Sequence, residues 1–541
     1  RIPAHPATQW SRLRVGGGPV EGASSESFRL PSELMGRQVE LQISLSKTVL
    51  ATMEGGLESL MNYPNGCVEQ TTSRLIPMVN LEDVFGGADG ERLADSQHRA
   101  RMQESVAHVL RHQNPDGGFG LWPESASEGF LTAYALWGLM TARDHGYRVP
   151  DERLEAGKAY LEAHATEGGD MHGQFSSADT PAFAAYVLAQ ARVEDHGLGA
   201  RLAGSSELSS FGSGLVANAL IRRASGADGE RGVEALFARL DAARERGGPG
   251  RALVRDRGPA GFMAYGSHLR ASAVAVQALV AAGRVGETAE LIEGILAERR
   301  GDGSWGTTYN NMWALQALSA VATATERDDE PAPVRLSIGG QVVARVQLGS
   351  GERARRIVIP ESALPRAGQR VELRVEAPAG SEVRYQAMLR YVLRPDVQRS
   401  ESNGLRVARE LRDASSGALV ERPRVGQLLR VRLTLGSDVA RQQIALTDRL
   451  PAGLEAVDSS LESRARAATL SHDGIWTWQE LHDERVAFFA DSIGPGVYHA
   501  EYLARASRSG EFVHPAPAAE AMYDPEIHAR GEIGRLLVDR P

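Results

Sequence analysis

Cysteine is nearly missing from this sequence: one thiol, Cys67, serves 541 residues. That excludes an internal disulfide framework, so an extracellular or periplasmic fold would have to hold without staples. No apolar run reaches the length of a membrane span, and the opening RIPAHPATQWSRLRVGGG lacks the apolar centre of a signal peptide. The chain is therefore expected to be either cytosolic or a piece whose targeting segment lies upstream. Strong charge of one sign is also lacking: 60 basic against 69 acidic residues give a net charge of -9, with arginine far ahead of lysine but scattered. Nothing in that total attracts a polyanion, so nucleic acid is not an expected partner. One cysteine and dispersed histidines match no ligand spacing, so neither a metal nor another cofactor is expected.

What is present is length and a clear sequence of textures. A chain of this size predicts about three or four domains. The opening, residues 1–46, contains RQVELQISLS, whose alternation puts Val39, Leu41, Ile43 and Leu45 on one face of a strand. Residues 47–327 turn helical, with Ala- and Leu-rich segments at 3.6-residue spacing. Gly-rich loops such as NPDGGFGLWPE, GGDMHGQF, GPAGFMAYG and GDGSWGTTY each precede a small-residue helix. Repetition of that unit predicts roughly a dozen helices arranged as hairpins about a common axis, an α/α toroid. Residues 328–395 switch to period two and predict a small antiparallel sandwich, and residues 396–541 predict a second β-sandwich. The opening strand has no local sheet to join, so it is expected to pair with the sandwich at 331–395, leaving the helical domain inserted between the two parts.

Cys67 lies in NYPNGCVEQTTSR. Pro64, Asn65 and Gly66 form a turn signal, and VEQTTSRLIPMVNLEDVF has helical spacing, which places Cys67 where a turn enters a helix. Residues i and i+3 share a helix face, so the Cys67 sulfur and the Gln70 carboxamide can meet, and a helix N-terminus favours the thiolate. Attack of that thiolate on the amide carbon with loss of ammonia would leave an internal thioester, driven by positioning. A free cysteine is more commonly a small buried hydrophobe. A Cys–His nucleophile is the other ordinary possibility, and the sequence does not place His98, His108, His112 or His172 in space. Toroids also host terpenoid cyclisation and glycan cleavage, but the aspartate pair Asp328 and Asp329 falls in a linker instead of a central cavity.

The string NYPNGCVEQTTSR closely resembles the thioester motif of the alpha-2-macroglobulin and complement family, and its flanking YP and QTTSR look like the bacterial branch. The resemblance runs on through LPAGLEAVD, GVYHAEYLARASRSGEF and MYDPEI to the end of the chain. It implies an α/α toroid thioester domain (47–327) inserted in a CUB-like β-sandwich (1–46 and 328–395), followed by a macroglobulin-like β-sandwich (396–541). It implies a Cys67–Gln70 thioester with Gly66, Val68 and Glu69 in the connecting positions and Tyr63 as the shielding aromatic. Asn65 departs from bacterial members, which commonly carry a second aromatic there. His172 stands, by rough position, where a relative's acyl-transfer base would be. The implied activity is inhibition, not turnover: a protease cuts an upstream bait region and the thioester then acylates one of its lysines. Implied partners are target proteases, the upstream domains of the same protein and a peptidoglycan synthase, with a monomeric chain in the periplasm or cell envelope of a membrane-anchored parent. A covalent surface adhesin, or a toroid enzyme with a cysteine nucleophile, are the alternatives.

Overall fold

The computed structural model describes residues 10–63, 66–81, 96–164, 178–193, 197–223, 226–256, 267–325, 331–349, 354–394, 397, 399–458, 470 and 472–541. They fall into two compact units. One comprises Arg12–Leu30 and Val39–Arg390, and the other Tyr391–Pro541 with Pro31–Gln38 and the residues up to Ser11.

The strands β1 (Ser11–Pro19), β2 (Ala23–Arg29) and β3 (Leu34–Ser46), which lie mostly in the larger unit, precede the helical region. A short hairpin, β4 (Arg244–Gly248) and β5 (Arg251–Val254), lies within it. The strands β6 (Ala332–Ile338), β7 (Gln341–Leu348), β8 (Arg355–Pro360), β9 (Arg370–Glu376) and β10 (Arg384–Leu393), the last of which ends beyond Arg390, follow it. Two four-stranded sheets, β1-β10-β3-β8 and β2-β9-β6-β7, mix strands from both sides of the insertion. Leu41 pairs with Ile359 and Glu26 with Leu373, so the opening strands do join the later sandwich. Val39, Leu41, Ile43 and Leu45 are buried as the alternation predicts, yet Gln42, Ser44 and Ser46 on the opposite face are buried too. Polar groups of the helical region meet that second face: Ser44 bonds Glu54, and Arg356 reaches both Glu54 and Glu58.

The helical region carries α1 (Glu54–Asn62), α2 (Val68–Asn80), α3 (Ser96–Leu110), α4 (Gly129–Asp144), α5 (Asp151–His164), α6 (Asp179–Gln190), α7 (Leu198–Ala203), α8 (Ser210–Arg223), α9 (Gly226–Ala242), α10 (His268–Ala281), α11 (Ala289–Ala297) and α12 (Thr308–Ala324). Contacts run α2 to α4, α4 to α6, α6 to α8, α8 to α10, α10 to α12, and α12 back to α2, which closes a ring. The two sets of helices differ as such a ring demands. In α6 and α8 eleven consecutive residues are buried, whereas α5 buries only the stripe Leu154, Gly157, Tyr160 and Leu161. Small residues let the inner helices close up: a Cβ on Gly138 of α4 would stand 2.6 Å from Cγ2 of Thr72 on α2. The centre is filled. Trp313 of α12 lies with its ring centroid 5.3 Å from Phe211 of α8, 6.2 Å from Phe183 of α6 and 5.1 Å from Trp137 of α4. These are helices that are not all neighbours in the ring, so the side chains meet across its axis.

The second unit is a β-sandwich. Its larger sheet contains Arg441–Arg449 beside Arg485–Ile493, and its facing sheet contains Arg406–Asp413, Leu428–Ser437 and Gly496–Ala506. Leu429, Val431, Leu433, Ile444, Leu446 and Phe488 interdigitate between them. One charged group crosses the core: Asp448 is fully buried and takes bonds from Arg409 (2.5 Å) and the Tyr502 hydroxyl (2.8 Å), both in the opposite sheet. Burial pushes the Asp448 carboxyl up, and the Arg409 charge opposes it. Among the described residues no helix is long and apolar enough to cross a membrane.

Candidate functional site

The first turn of α2 decides the local geometry. Helix N-termini leave backbone N–H groups without helical partners, and a side chain that accepts one of them fixes the helix start. Here the acceptor is the Cys67 sulfur at the N-cap, with extended backbone (φ -62°, ψ 168°). It receives the Gln70 backbone N–H at 3.5 Å, while Oε1 of Gln70 reaches back to the Cys67 N–H at 3.4 Å. This is a capping box in which a thiol replaces the usual hydroxyl. Cys67 is fully buried and Gln70 nearly so.

The third atom of the Gln70 carboxamide has its own neighbour: Nε2 donates to the Tyr63 hydroxyl at 3.3 Å. Tyr63 ends α1 and is half-buried. The remaining groups of the turn are held from elsewhere. The Val68 N–H goes to the carbonyl of Leu121, in the loop at 114–124, and Thr71 donates its backbone N–H to the Cys67 carbonyl at 3.0 Å. Gly66 presents its carbonyl to Nε2 of His108 at 2.5 Å, and Nδ1 of the same ring takes Nη2 of Arg111 at 2.6 Å. A carbonyl only accepts and a guanidinium only donates, so this His108 carries its proton on Nε2.

Glu69 points away from the Cys67 and Gln70 side chains and into the ring. It is fully buried, bonds Ser73, and accepts from Thr308 Oγ1 at 3.3 Å; Ser73 continues to the Tyr134 hydroxyl at 2.7 Å. The carboxylate sits at two helix N-termini, its own and that of α12, where the helix dipoles favour negative charge. Burial pushes the nearby Tyr309 hydroxyl well above its ordinary value, with the Glu69 charge adding to it.

Of the residues singled out by sequence, Tyr63, Gly66, Cys67, Val68, Glu69 and Gln70 therefore come together at the start of α2. Asn65, His172, Asp328 and Asp329 lie outside the described residues. His108 is the histidine placed at this turn, 42 residues from Gly66. Its place could not be read from spacing because only the packing of α3 on α2 brings it there. Thr308 and Tyr134 were likewise invisible, because they come to this turn from α12 and α4, the helices on either side of α2 in the ring.

Chemically, the arrangement puts a thiol and a carboxamide in one helical turn, with the carboxamide oxygen already on a backbone donor. Both atoms lie in the positive field of a helix N-terminus, which favours a thiolate and a developing oxyanion alike.

The comparisons with known proteins agree with this architecture. Residues 33–184 match the A-macroglobulin TED domain, and residues 404–526 match the bacterial alpha-2-macroglobulin MG10 domain. The chain belongs to the bacterial alpha-2-macroglobulin family. It is 26% identical over 529 residues to the alpha-2-macroglobulin of Escherichia coli (strain K12), covering 93% of this chain and 30% of that protein. Against the Xylella fastidiosa (strain Temecula1) alpha-2-macroglobulin the identity is 25% over 541 residues, 94% of this chain and 31% of the relative. The solved structure of native Escherichia coli alpha-2-macroglobulin from domain MG7 to the C-terminus superposes with a TM-score of 0.74 at 21% identity, covering 99% of this chain and 83% of that one. Salmonella alpha-2-macroglobulin reacted with methylamine gives a TM-score of 0.72 at 23% identity, over 98% of this chain and 34% of the other. The chain spans less than a third of the length of these curated relatives.

Proposed function

We propose that Cys67 and Gln70 close an internal thioester, and that the chain is the reactive C-terminal portion of a protease inhibitor that traps its attackers by acylating their lysines after cleavage upstream. The observation that carries this reading is the reciprocal cap at α2, which brings the Cys67 thiol and the Gln70 carboxamide into one buried helical turn and leaves Nε2 on Tyr63.

In formation, the Cys67 thiolate attacks Cδ of Gln70. Negative charge gathers on Oε1 opposite the Cys67 N–H, the C–N bond breaks, and the –NH2 group takes up the proton that the thiol gave up and leaves as ammonia. Trapping is the reverse with a lysine amine: a new N–C bond forms, the C–S bond breaks, and the proton passes to the departing sulfur. By microscopic reversibility the incoming amine must occupy the place from which the nitrogen left. The Tyr63 hydroxyl stands 3.3 Å from that place, on a path to it, which supports a shielding role for the ring.

Holding such a bond for days and spending it in seconds requires a rate ratio on the order of 10^4 to 10^5, or about 5 to 7 kcal/mol of barrier. One hydrogen bond is worth about 1 kcal/mol, so Tyr63 shields by excluding water and amines more than by bonding. The Salmonella relative described as reacted with methylamine lends the amine chemistry support by family. The same membership supports a periplasmic or cell-envelope setting in a larger, monomeric parent as part of this proposal.

The toroid-enzyme reading is disfavoured by the aromatic side chains that occupy the ring's centre, where a substrate cavity would have to be. An adhesin would acylate its surface without prior proteolysis, and that dependence separates it from an inhibitor.

The test is incubation with a fluorescent primary amine. Uptake at Gln70 with release of one thiol per chain is expected, and none in Cys67→Ala. Equal labelling of the variant would rule the thioester out.

A further inference from the structure

Beside the cap lies an open groove of about 530 Å³, walled by α2 and α3 and edged by Met61 at the end of α1. Two observations tie it to the acyl group. Gln70, Arg74 and Met78 stand at i, i+4 and i+8 of α2, so the helix face that carries the reactive carboxamide continues as one wall of the groove. His108, which holds the Gly66 carbonyl, lines it as well, and its other nitrogen takes Arg111 at 2.6 Å.

The groove's chemistry is lopsided. Arg74, Arg101 and Arg111 face it, and among the described residues lining it Glu104 is the single carboxylate. Arg101 and Arg111 are exposed to solvent, and Met61 is 41% exposed, giving an adaptable apolar lip next to the cationic wall. This wall stands out in a chain whose net charge is negative.

We propose that this groove selects the acceptor amine by binding a carboxylate that flanks it, so that lysines next to Asp or Glu are acylated in preference to isolated ones. The inference rests on the thioester reading and names its substrate class. An acceptor lysine reaches Cδ of Gln70 while a neighbouring acidic side chain is held by the guanidiniums one helical turn further along α2 and across on α3. Arginine suits the task, because its planar fork pairs with carboxylate and keeps its charge at any working pH. The reaction is the aminolysis described above: N–C bond formed, C–S bond broken, the amine's proton to the sulfur.

The experiment compares 6-aminohexanoate with its neutral counterpart 6-aminohexanamide, each rate divided by that of methylamine on the same protein. The acid is expected to react about three- to tenfold faster than the amide, the gain of one solvent-accessible charge pair, and to lose that lead in high salt. Arg101→Gln should shrink the ratio and Arg101→Glu should bring it below one. A ratio near one in the unaltered chain, or one that Arg101→Glu leaves unchanged, overturns the selection while methylamine addition still upholds the thioester. Failure of methylamine itself to add overturns the thioester reading, and the selection with it.

Discussion

The Gln70 side chain is held at both polar atoms, Oε1 by the Cys67 N–H and Nε2 by the Tyr63 hydroxyl, while the Cys67 sulfur caps the backbone N–H of the same residue. The residue-scale prediction concerns Tyr63. Tyr63→Phe keeps the ring and loses one bond of about 1 kcal/mol, so methylamine uptake is expected to quicken by about fivefold at most. Tyr63→Gly removes the ring and should quicken it far more. Stopped-flow thiol release measures both, and equal rates for the two variants would mean that the ring shields nothing. The cysteine and glutamine were legible in the sequence because their relation is local, three residues along one helix. His108 and Glu69's partner Thr308 were not, because 42 and 239 residues of chain separate each from its contact.

At the scale of elements, the site depends on how closely α2 can lie against α4. Gly138 and Thr72 make that approach, and a Cβ at 138 would meet Thr72 Cγ2 at 2.6 Å but Thr72 Cβ at an ordinary 3.7 Å. Gly138→Ala is therefore expected to destabilise the ring by about 1 to 3 kcal/mol. Adding Thr72→Ala should return part of that loss, since it removes the methyl that clashes. Denaturant midpoints for the two single variants and the double variant give the coupling, and strict additivity would contradict the close-approach account. The small-residue helices were readable from their composition and the loops before them, and α4, α6, α10 and α12 all prove to be inner helices of the ring. The hairpin β4–β5 went unread, although RERGGPGRALV carries a Gly-Pro-Gly turn before its second strand, because it interrupts a helical texture for only a few residues.

On the scale of the whole molecule, the sequence pattern foretold that strands on either side of the helical region would share sheets, since an isolated strand cannot satisfy its edges. It could not foretell the charge buried inside the second sandwich. Asp448 faces Arg409, whose side chain is 8% exposed, so Asp448→Ala leaves that guanidinium buried without its counter-ion. The expected loss is about 3 to 5 kcal/mol in the unfolding of this unit. The pH dependence has a definite sign. Burial raises the folded carboxyl pKa above its unfolded value, so this group's contribution is fully present below about pH 4 and is lost as pH rises through the folded pKa. Asp448→Asn should remove that part of the slope when urea midpoints are followed against pH. A slope identical to that of the unaltered chain would show that Asp448 does not titrate in this way.

The proposed function turns on a thioester between Cys67 and Gln70, and the intact mass of the freshly prepared chain before and after methylamine tests it most directly. A thioester makes the untreated chain one ammonia lighter than its sequence and unreactive to thiol reagents. Methylamine should then raise the mass by one methylamine, to one methylene above the sequence value, and expose a single thiol. An untreated chain at full sequence mass, with a freely titrating Cys67 and no change on adding methylamine, would contradict the account.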